Sequence, residues 1–249
     1  MCSCAPRRRR TERVDLRALL RDAPLFHVDE GLHPRSLQAS DEVLETIAAA
    51  IRPGWHTLET GAGLSTVVFA LGGARHVCIT PAQAEVQKIR DYCAARGISL
   101  DAVTFHVERS ELVLPRLDLP ELDLVLIDGG HGFPTPFLDW FHGAERLRVG
   151  GVLVVDDTQL WTGRVLRDFL AEEPGWALRA EFAMRAAVFE KTAPSPCLPE
   201  WFAQPFVRRR SHAPGTLGHV LRKLWRTVRR DRARGLDLTT RDVPGVRRD

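Results

Sequence analysis

The sequence predicts an α/β fold, a doubly wound and mostly parallel sheet with helices on both faces. Short runs of Val, Leu and Ile alternate with helical segments along most of the chain. The runs are apolar throughout rather than at every second residue, which is typical of strands covered on both faces. The last two strands are joined tightly, which requires an antiparallel pair at one edge of the sheet.

The predicted elements begin with a helix from Asp41 to Ile51, which Ser40 or Asp41 can cap and which Pro53 ends. Five apolar runs then predict strands at 55–58, 76–79, 103–107, 122–127 and 151–155. Helices are predicted between them at 65–71, 81–96, 137–147 and 159–170, and the antiparallel pair lies within 176–191. The predicted α/β domain therefore spans about residues 41–191.

Length and composition favour one folded domain with an extension at each end. The chain has 249 residues, of which 44% are apolar, and no apolar run approaches the roughly 18 residues of a membrane span. The five cysteines are scattered without a Cys-x-x-Cys pair, which argues against a disulfide framework. We expect a cytoplasmic protein with an N-terminal extension at 1–37, a catalytic domain at 38–191 and a C-terminal extension at 192–249.

Charge is divided unevenly along the chain. Residues 1–13 carry +4 and residues 207–249 carry +9, so residues 14–206 carry −10 within a total of +3. Residues 219–230 predict a helix with one apolar and one basic face. This pattern suits an anionic membrane surface, RNA or an acidic partner. A helix that docks on the acidic part of the chain, or is simply solvated, is the favoured interpretation.

The loop at residues 57–66 is the most informative about a ligand. Gly61 and Gly63 allow a sharp turn and a close approach to the main chain, and Ser65 or Thr66 can cap the next helix. The N-terminus of that helix favours a carboxylate or phosphate, whereas Glu59 repels a pyrophosphate and attracts an ammonium. The loop therefore fits a nucleoside with a carboxylate and a positive charge, as in S-adenosylmethionine. An ordinary strand-to-helix turn is the alternative.

Polar residues also follow the second and third strands. Thr80 stands where a ribose-binding acid usually lies, about 20 residues after the glycines, and Gln83 or Glu85 offers a substitute. Glu108 and Ser110 follow the third strand, where they suit contacts with an adenine ring or with solvent. The missing acid argues against a nicotinamide cofactor.

Acidic residues follow the fourth and fifth strands, whose ends we expect to be neighbours. Close carboxylates repel unless a cation lies between them, and oxygen ligands suit Mg²⁺ or Mn²⁺. We therefore expect Asp128, Asp156 and Asp157 to hold a divalent ion, with solvated aspartates, one of them a helix cap, as the alternative. His131 is either a general base, since its ordinary pKa of about 6.5 suits proton removal, or a rim residue. Asp128 and His131 are thus the predicted catalytic residues.

Two stretches resemble a known family. Residues 58–66 resemble the first motif of class I S-adenosylmethionine-dependent methyltransferases. Residues 124–131 and 147–158 resemble a subgroup with IDGxH and DD motifs, loosely related to metal-dependent O-methyltransferases. The resemblance covers about residues 38–191 and implies a seven-stranded sheet with a reversed terminal hairpin. It also implies cofactor contacts at Glu59, Gly61, Gly63 and Ser65 and metal ligands at Asp128, Asp156 and Asp157. Thr80 departs from the acid of many relatives.

These observations predict a methyltransferase that uses S-adenosylmethionine to methylate an oxygen of a small molecule, with a divalent metal assisting. A binding protein that keeps the fold without catalysis and a metal-independent N-methyltransferase are the alternatives. Several aromatic residues, among them Phe133, Trp140, Trp161 and Trp201, either wall an acceptor pocket or belong to the core. A homo-oligomer is compatible with the sequence.

Overall fold

The structure is a computed structural model that describes residues 16–22, 24–27, 39–183, 185–194, 200–211 and 224–225. The chain divides into two compact units, Met1–Pro199 and Glu200–Asp249. The strands of the first unit are β1 (His56–Thr60), β2 (Arg75–Ile79), β3 (Val103–His106), β4 (Leu122–Ile127), β5 (Leu147–Asp156), β6 (Trp176–Phe182) and β7 (Ala186–Lys191). Its helices are α1 (Leu16–Asp22), α2 (Asp41–Ala50), α3 (Leu64–Leu71), α4 (Gln83–Ala95), α5 (Ser110–Val113), α6 (Thr135–Arg146) and α7 (Trp161–Glu172). A 3₁₀ turn at Leu114–Arg116 follows α5.

The second unit is described over a shorter stretch. Its described residues include a 3₁₀ turn at Trp201–Ala203 and the helix α8 (Pro205–Arg210). The last turn of α8 carries Arg208, Arg209 and Arg210.

The seven strands form one sheet in the order β3-β2-β1-β4-β5-β7-β6. Strands β1 to β5 pair in parallel, whereas β7 runs antiparallel to both β5 and β6. The predicted doubly wound sheet with a reversed terminal pair is therefore confirmed. Strand order reverses direction between β1 and β4, so the crevice outside the carboxyl ends of these two strands is the expected ligand site of such a sheet.

Burial on both faces explains the continuous apolar runs. In β4, Leu124 and Leu126 belong to the core formed with α2, α3 and α4. The intervening Val125 faces α6, where a Cβ added to Gly143 would lie 3.0 Å from its Cγ1. A strand between two helical layers cannot alternate apolar and polar residues, because either face would bury the polar ones.

A buried lysine joins the end of α6 to the last strand. Lys191 is 5% exposed, and its Nζ donates to the carbonyl oxygens of Ala144 and Leu147, each at 2.7 Å. The last carbonyls of a helix have no partner within the helix, and a positive charge at that end is favourable. Lys191 therefore stabilises the α6–β5 junction.

The structure corrects several predicted boundaries. Strand β1 ends at Thr60 rather than at residue 58, because Glu59 and Thr60 continue the pairing with both β2 and β4. The predicted cap of α2 is confirmed, since Ser40 Oγ accepts the Val43 N–H at 3.4 Å. The predicted aspartate cap of α7 is wrong, because that helix begins at Trp161 without a side-chain cap.

Several predictions concern residues that the structure does not describe. The basic start at residues 7–10 lies outside the described ranges, as does all of the basic helix predicted at 219–230 except Leu224 and Trp225, which are helical. Its membrane, RNA or protein partners, the oligomeric state and the predicted domain limits stay predictions. In the described part of the chain, no helix is both long enough and apolar enough to cross a membrane.

Two glycines offer a matched test of how closely β1 and β4 approach at their ends. Gly54 and Gly61 have φ of +85° and +93°, but only at Gly61 does an added Cβ clash, 2.1 Å from the Asp128 carbonyl oxygen. We expect Gly54→Ala to lower the free energy of unfolding by about 1–2 kcal/mol through backbone strain. Gly61→Ala adds a backbone clash, so we expect it to lower the free energy of unfolding by about 1–3 kcal/mol more than Gly54→Ala does. Urea unfolding of both variants measures the difference. Equal losses would contradict the close approach.

Candidate active site

The turn after β1 brings three strand ends together. The Gly61 N–H donates to the Ile79 carbonyl oxygen at 2.9 Å, and the Asp128 N–H donates to the Thr60 carbonyl oxygen at 3.0 Å. The turn thus lies directly against the residue that follows β4. Only glycine fits at position 61, since its φ is positive and the Asp128 carbonyl occupies the place of a side chain.

Glu59, the acid of this turn, is buried and fully engaged inside the protein. Its Oε2 accepts a hydrogen bond from Ser65 Oγ at 2.7 Å, and its Oε1 accepts one from Thr66 Oγ1. His76 Nε2 lies 3.1 Å from the same Oε1, and His76 Nδ1 bonds Thr57 Oγ1 at 2.8 Å. The carboxylate therefore joins β1, β2 and the first turn of α3.

A cavity of about 330 Å³ opens beside the turn, at the carboxyl ends of β1, β2 and β4. This volume lies in the range of small-molecule sites. The predicted residues on its wall are Gly61, Thr80, Ser110, Asp128 and His131. Four other predicted cofactor residues lie outside its wall, namely Glu59, Gly63, Ser65 and Glu108.

Those outlying residues have other contacts in the structure. The Ser65 hydroxyl is bonded to Glu59, and Glu108 pairs with Arg116 at 2.8 Å. Gly63 stands at the start of α3, where its N–H donates to Thr66 Oγ1 at 3.2 Å. Direct contact of these residues with a cofactor stays a prediction.

The cavity wall also contains residues that the motifs did not indicate, among them His27 and Thr135, and it contains Arg109 and Glu111 of the polar stretch after the third strand. Glu85, which the sequence offered as a substitute acid, also lies on the wall. His27 carries no signal in the sequence, because it comes from a segment far from the glycine turn and only folding brings it there.

A buried acid lies next to this region. Asp139 is 1% exposed, and within the described residues neither of its carboxylate oxygens has a hydrogen-bond partner. Burial raises the pKa of Asp139 to about 6. The one signal in the sequence that could have indicated Asp139 is its position, because it is an acid on the face of α6 that also carries the buried Pro136 and Gly143.

The second half of the site contains acids and a histidine. One donor atom from each of Asp128, His131 and Asp157 lies within 4.8 Å of the others. His131 Nε2 is 3.0 Å from Asp157 Oδ2. Asp156 is outside this group, and its Oδ1 accepts the Asp157 N–H at 2.8 Å. The structure thus brings together two of the three predicted metal ligands and adds His131 as the third donor.

Burial and mutual repulsion give these three acids different pKa values. Burial, followed by the charges of Asp156 and Asp157, raises the pKa of Asp128 well above its usual range. Burial also raises the pKa of Asp156 to about 6. For Asp157 burial acts in the same direction, but the hydrogen bond and charge of His131 lower its pKa overall. The negative charge of the cluster therefore concentrates beside His131.

The donor set fits a divalent ion. Carboxylate oxygens suit Mg²⁺ and Mn²⁺, and an imidazole nitrogen in the set favours Mn²⁺. A histidine ligand binds a metal through an unprotonated nitrogen, whereas the present His131–Asp157 contact is a hydrogen bond when Nε2 carries the proton. Arg185 also supplies positive charge, because its Nη2 lies 3.8 Å from Asp157 Oδ1.

An exposed aromatic pair lies next to His131. Phe133 and Trp161 are 70% and 58% exposed, and their ring centroids are 6.3 Å apart. Thr162 Oγ1 donates to the His131 carbonyl oxygen at 2.6 Å, which ties the start of α7 to the His131 loop. Trp140 instead packs edge-on against Phe169 at 5.1 Å.

Comparison with known proteins shows what this fold is similar to. Residues 58–158, which contain the glycine turn and the acidic cluster, match a protein family described as a methyltransferase domain. This part of the chain is therefore similar to a methyltransferase domain. No curated protein matches the sequence significantly.

Solved structures share the fold at low sequence identity. The O-methyltransferase TomG from Streptomyces achromogenes, solved in complex with S-adenosylmethionine, is 20% identical, with a TM-score of 0.58 over 70% of this chain and 90% of its own. The cofactor-bound protein Rv0187 from MTB is also 20% identical, with a TM-score of 0.54 over 71% of this chain and 88% of its own.

The buried role of Glu59 is testable against an exposed acid. We expect Glu59→Gln to lower the free energy of unfolding by about 3 kcal/mol, because the amide has one acceptor oxygen where the carboxylate accepts from both Ser65 Oγ and Thr66 Oγ1. Glu108→Gln removes the same charge from an exposed pair and is expected to cost less than about 1 kcal/mol. Urea unfolding of both variants measures the difference. Similar small losses would show that Glu59 does not organise the turn.

Proposed function

We propose that the chain is an S-adenosylmethionine-dependent methyltransferase that acts on an oxygen of a small molecule. The observation that carries this proposal is one cavity lined by the glycine turn at Gly61 and by Asp128 and His131. In such sheets ligands bind at this place, outside the carboxyl ends of the strands. The methyltransferase domain match over residues 58–158 supports the same activity.

Bound S-adenosylmethionine supplies a methyl carbon, which bonds to the acceptor oxygen as its bond to sulfur breaks. His131 removes the proton of the acceptor hydroxyl at Nδ1, because Nε2 faces Asp157 and no described residue bonds Nδ1. Asp157 holds the ring in place and stabilises the imidazolium that forms. The chain otherwise contributes alignment of the two reactants, which is the main requirement of this reaction.

The three-donor group supports a metal-assisted form of the same reaction. Asp128, His131 and Asp157 would hold the ion. With an ion bound there, the pKa of a coordinated hydroxyl would be lower and the repulsion between the carboxylates would be relieved. In this form His131 is a ligand rather than the base.

The acceptor is proposed to lie against Phe133 and Trp161. This aromatic pair is exposed, and it adjoins the loop that carries His131. Exposed aromatic rings beside a reactive group favour a small molecule with an apolar surface. An amine acceptor, as in an N-methyltransferase, fits the same base, and product analysis separates the two.

Calorimetry and a transfer assay test the enzyme against a binding protein. We expect the full chain to bind S-adenosylmethionine and to release S-adenosylhomocysteine when given a panel of small phenols and alcohols. His131→Ala is expected to keep cofactor binding and to slow transfer by roughly 10²–10⁴-fold, the usual contribution of a general base. His142→Ala, on the helix that follows, is the control and should leave transfer unchanged.

Two results would contradict this assignment. Absence of binding at millimolar S-adenosylmethionine would rule out the enzyme. Binding without transfer to any acceptor class, in a folded wild-type protein, would favour a protein that retains the fold without catalysis.

Chelation separates the metal-assisted form from the metal-free form. If the ion takes part, EDTA abolishes transfer, Mn²⁺ restores it, and Mn²⁺ binding followed by electron paramagnetic resonance is lost in Asp128→Asn. Asp156→Asn should keep most Mn²⁺ binding, because Asp156 lies outside the donor group. Full transfer by the wild-type protein in EDTA would eliminate the metal, and His131 would then act as the base.

A further inference from the structure

A short N-terminal segment, residues 24–27, packs along α4 at the edge of the cavity. Phe26 is 3% exposed and meets the ring of Tyr92 edge-on, with centroids 5.4 Å apart. Lys88 Nζ donates to the His27 carbonyl oxygen at 3.1 Å. These contacts hold His27 in a defined place on the cavity wall.

His27 makes a polar contact with the first turn of α4. Its Nδ1 lies 3.0 Å from Glu85 Oε1, with 19% and 14% of the two side chains exposed. Its other nitrogen, Nε2, lies 3.6 Å from where a Cβ on Gly63 would stand. The His27–Glu85 pair therefore extends between α4 and the glycine turn, on the wall of the same cavity.

Thr80, at the end of β2, is a weak candidate for binding a sugar. It is 3% exposed, and its Oγ1 accepts the Ala82 N–H at 3.2 Å. A neutral hydroxyl also makes a weaker hydrogen bond to a sugar hydroxyl than a carboxylate does. Glu85 stands five residues further along the chain and lines the cavity together with Thr80.

The other carboxylates on the cavity wall have different partners. Glu111 pairs with Arg109, and Asp128 belongs to the acidic cluster. The hydrogen bond from His27 uses Glu85 Oε1, and among the described residues no donor bonds Glu85 Oε2. One oxygen of Glu85 is thus available to a ligand in the cavity.

We propose that Glu85, oriented by His27, binds the ribose hydroxyls of the cofactor in place of an acid at the end of β2. This inference rests on the proposed function, since it takes the ligand to be S-adenosylmethionine. Glu85 is the group that touches the ligand, and His27 is a positioning residue. The ribose contact is therefore assembled from α4 and the N-terminal segment.

Calorimetry with two ligands tests the contact without any variant. The probes are S-adenosylhomocysteine and its 2′-deoxy analogue. A hydrogen bond from a hydroxyl to a carboxylate is worth roughly 10- to 100-fold in affinity, so we expect the wild-type protein to prefer the intact ribose by about that factor. Equal affinities would overturn the ribose contact and leave the proposed function standing.

Variants then assign the preference to residues. The Glu85→Gln variant is expected to bind S-adenosylhomocysteine more weakly than the wild type, by about the same factor as the preference for the intact ribose. It should bind the 2′-deoxy analogue nearly as well as the wild type does. His27→Ala should lose part of the preference, and His27→Gln should regain some of it, because an amide also donates to Glu85. Glu45→Gln, an exposed change of the same charge on α2, should keep both affinities.

The outcomes separate the two proposals. A folded Glu85→Gln variant that retains the full preference would overturn the role of Glu85. A loss of affinity equal for both ligands would point to packing of the N-terminal segment instead, and would also overturn it. A wild-type protein that binds neither ligand would refute the proposed function and this inference together.

Discussion

The site depends on the contacts that the buried carboxylate of Glu59 makes inside the protein. It lies inside the sheet and joins the hydroxyls of Ser65 and Thr66 to His76 on the neighbouring strand. A buried charge without such partners would be strongly destabilising, so these groups are locked to one another. The start of α3 is thereby fixed against β1, and the glycine turn between them has a single geometry.

That geometry couples the two halves of the cavity. Gly61 approaches Asp128 so closely that no side chain fits between them. Any ligand on the turn therefore lies next to the residue that begins the acidic cluster. Proximity also explains the electrostatics, since burial and neighbouring carboxylates raise the pKa of Asp128 and of Asp156, whereas the contact with His131 lowers the pKa of Asp157. A rigid link between the glycine turn and the acidic cluster suits the proposed methyl transfer, which depends mainly on alignment.

Local patterns predicted the centre of the sheet well because β1 and β4 are buried on both faces, and an apolar run of that kind is visible without tertiary information. The end of β1 was predicted two residues early, because Glu59 is polar yet lies in the strand. The sequence does not distinguish an acid that is bonded to three groups inside the protein from an acid that faces a ligand. The same ambiguity affected Asp156, whose side chain turns to the Asp157 N–H rather than into the donor group.

The sequence by itself determined the order of strands and helices, the glycine turn, and the chemistry after each strand, since these depend on neighbours along the chain. Only the tertiary structure decided which of those polar groups meet. His27 reaches Glu85 across 58 positions, and His131 reaches Asp157 from a different strand. The direction of a side chain at a strand end is set by packing and pairing with distant residues, which spacing along the chain does not encode.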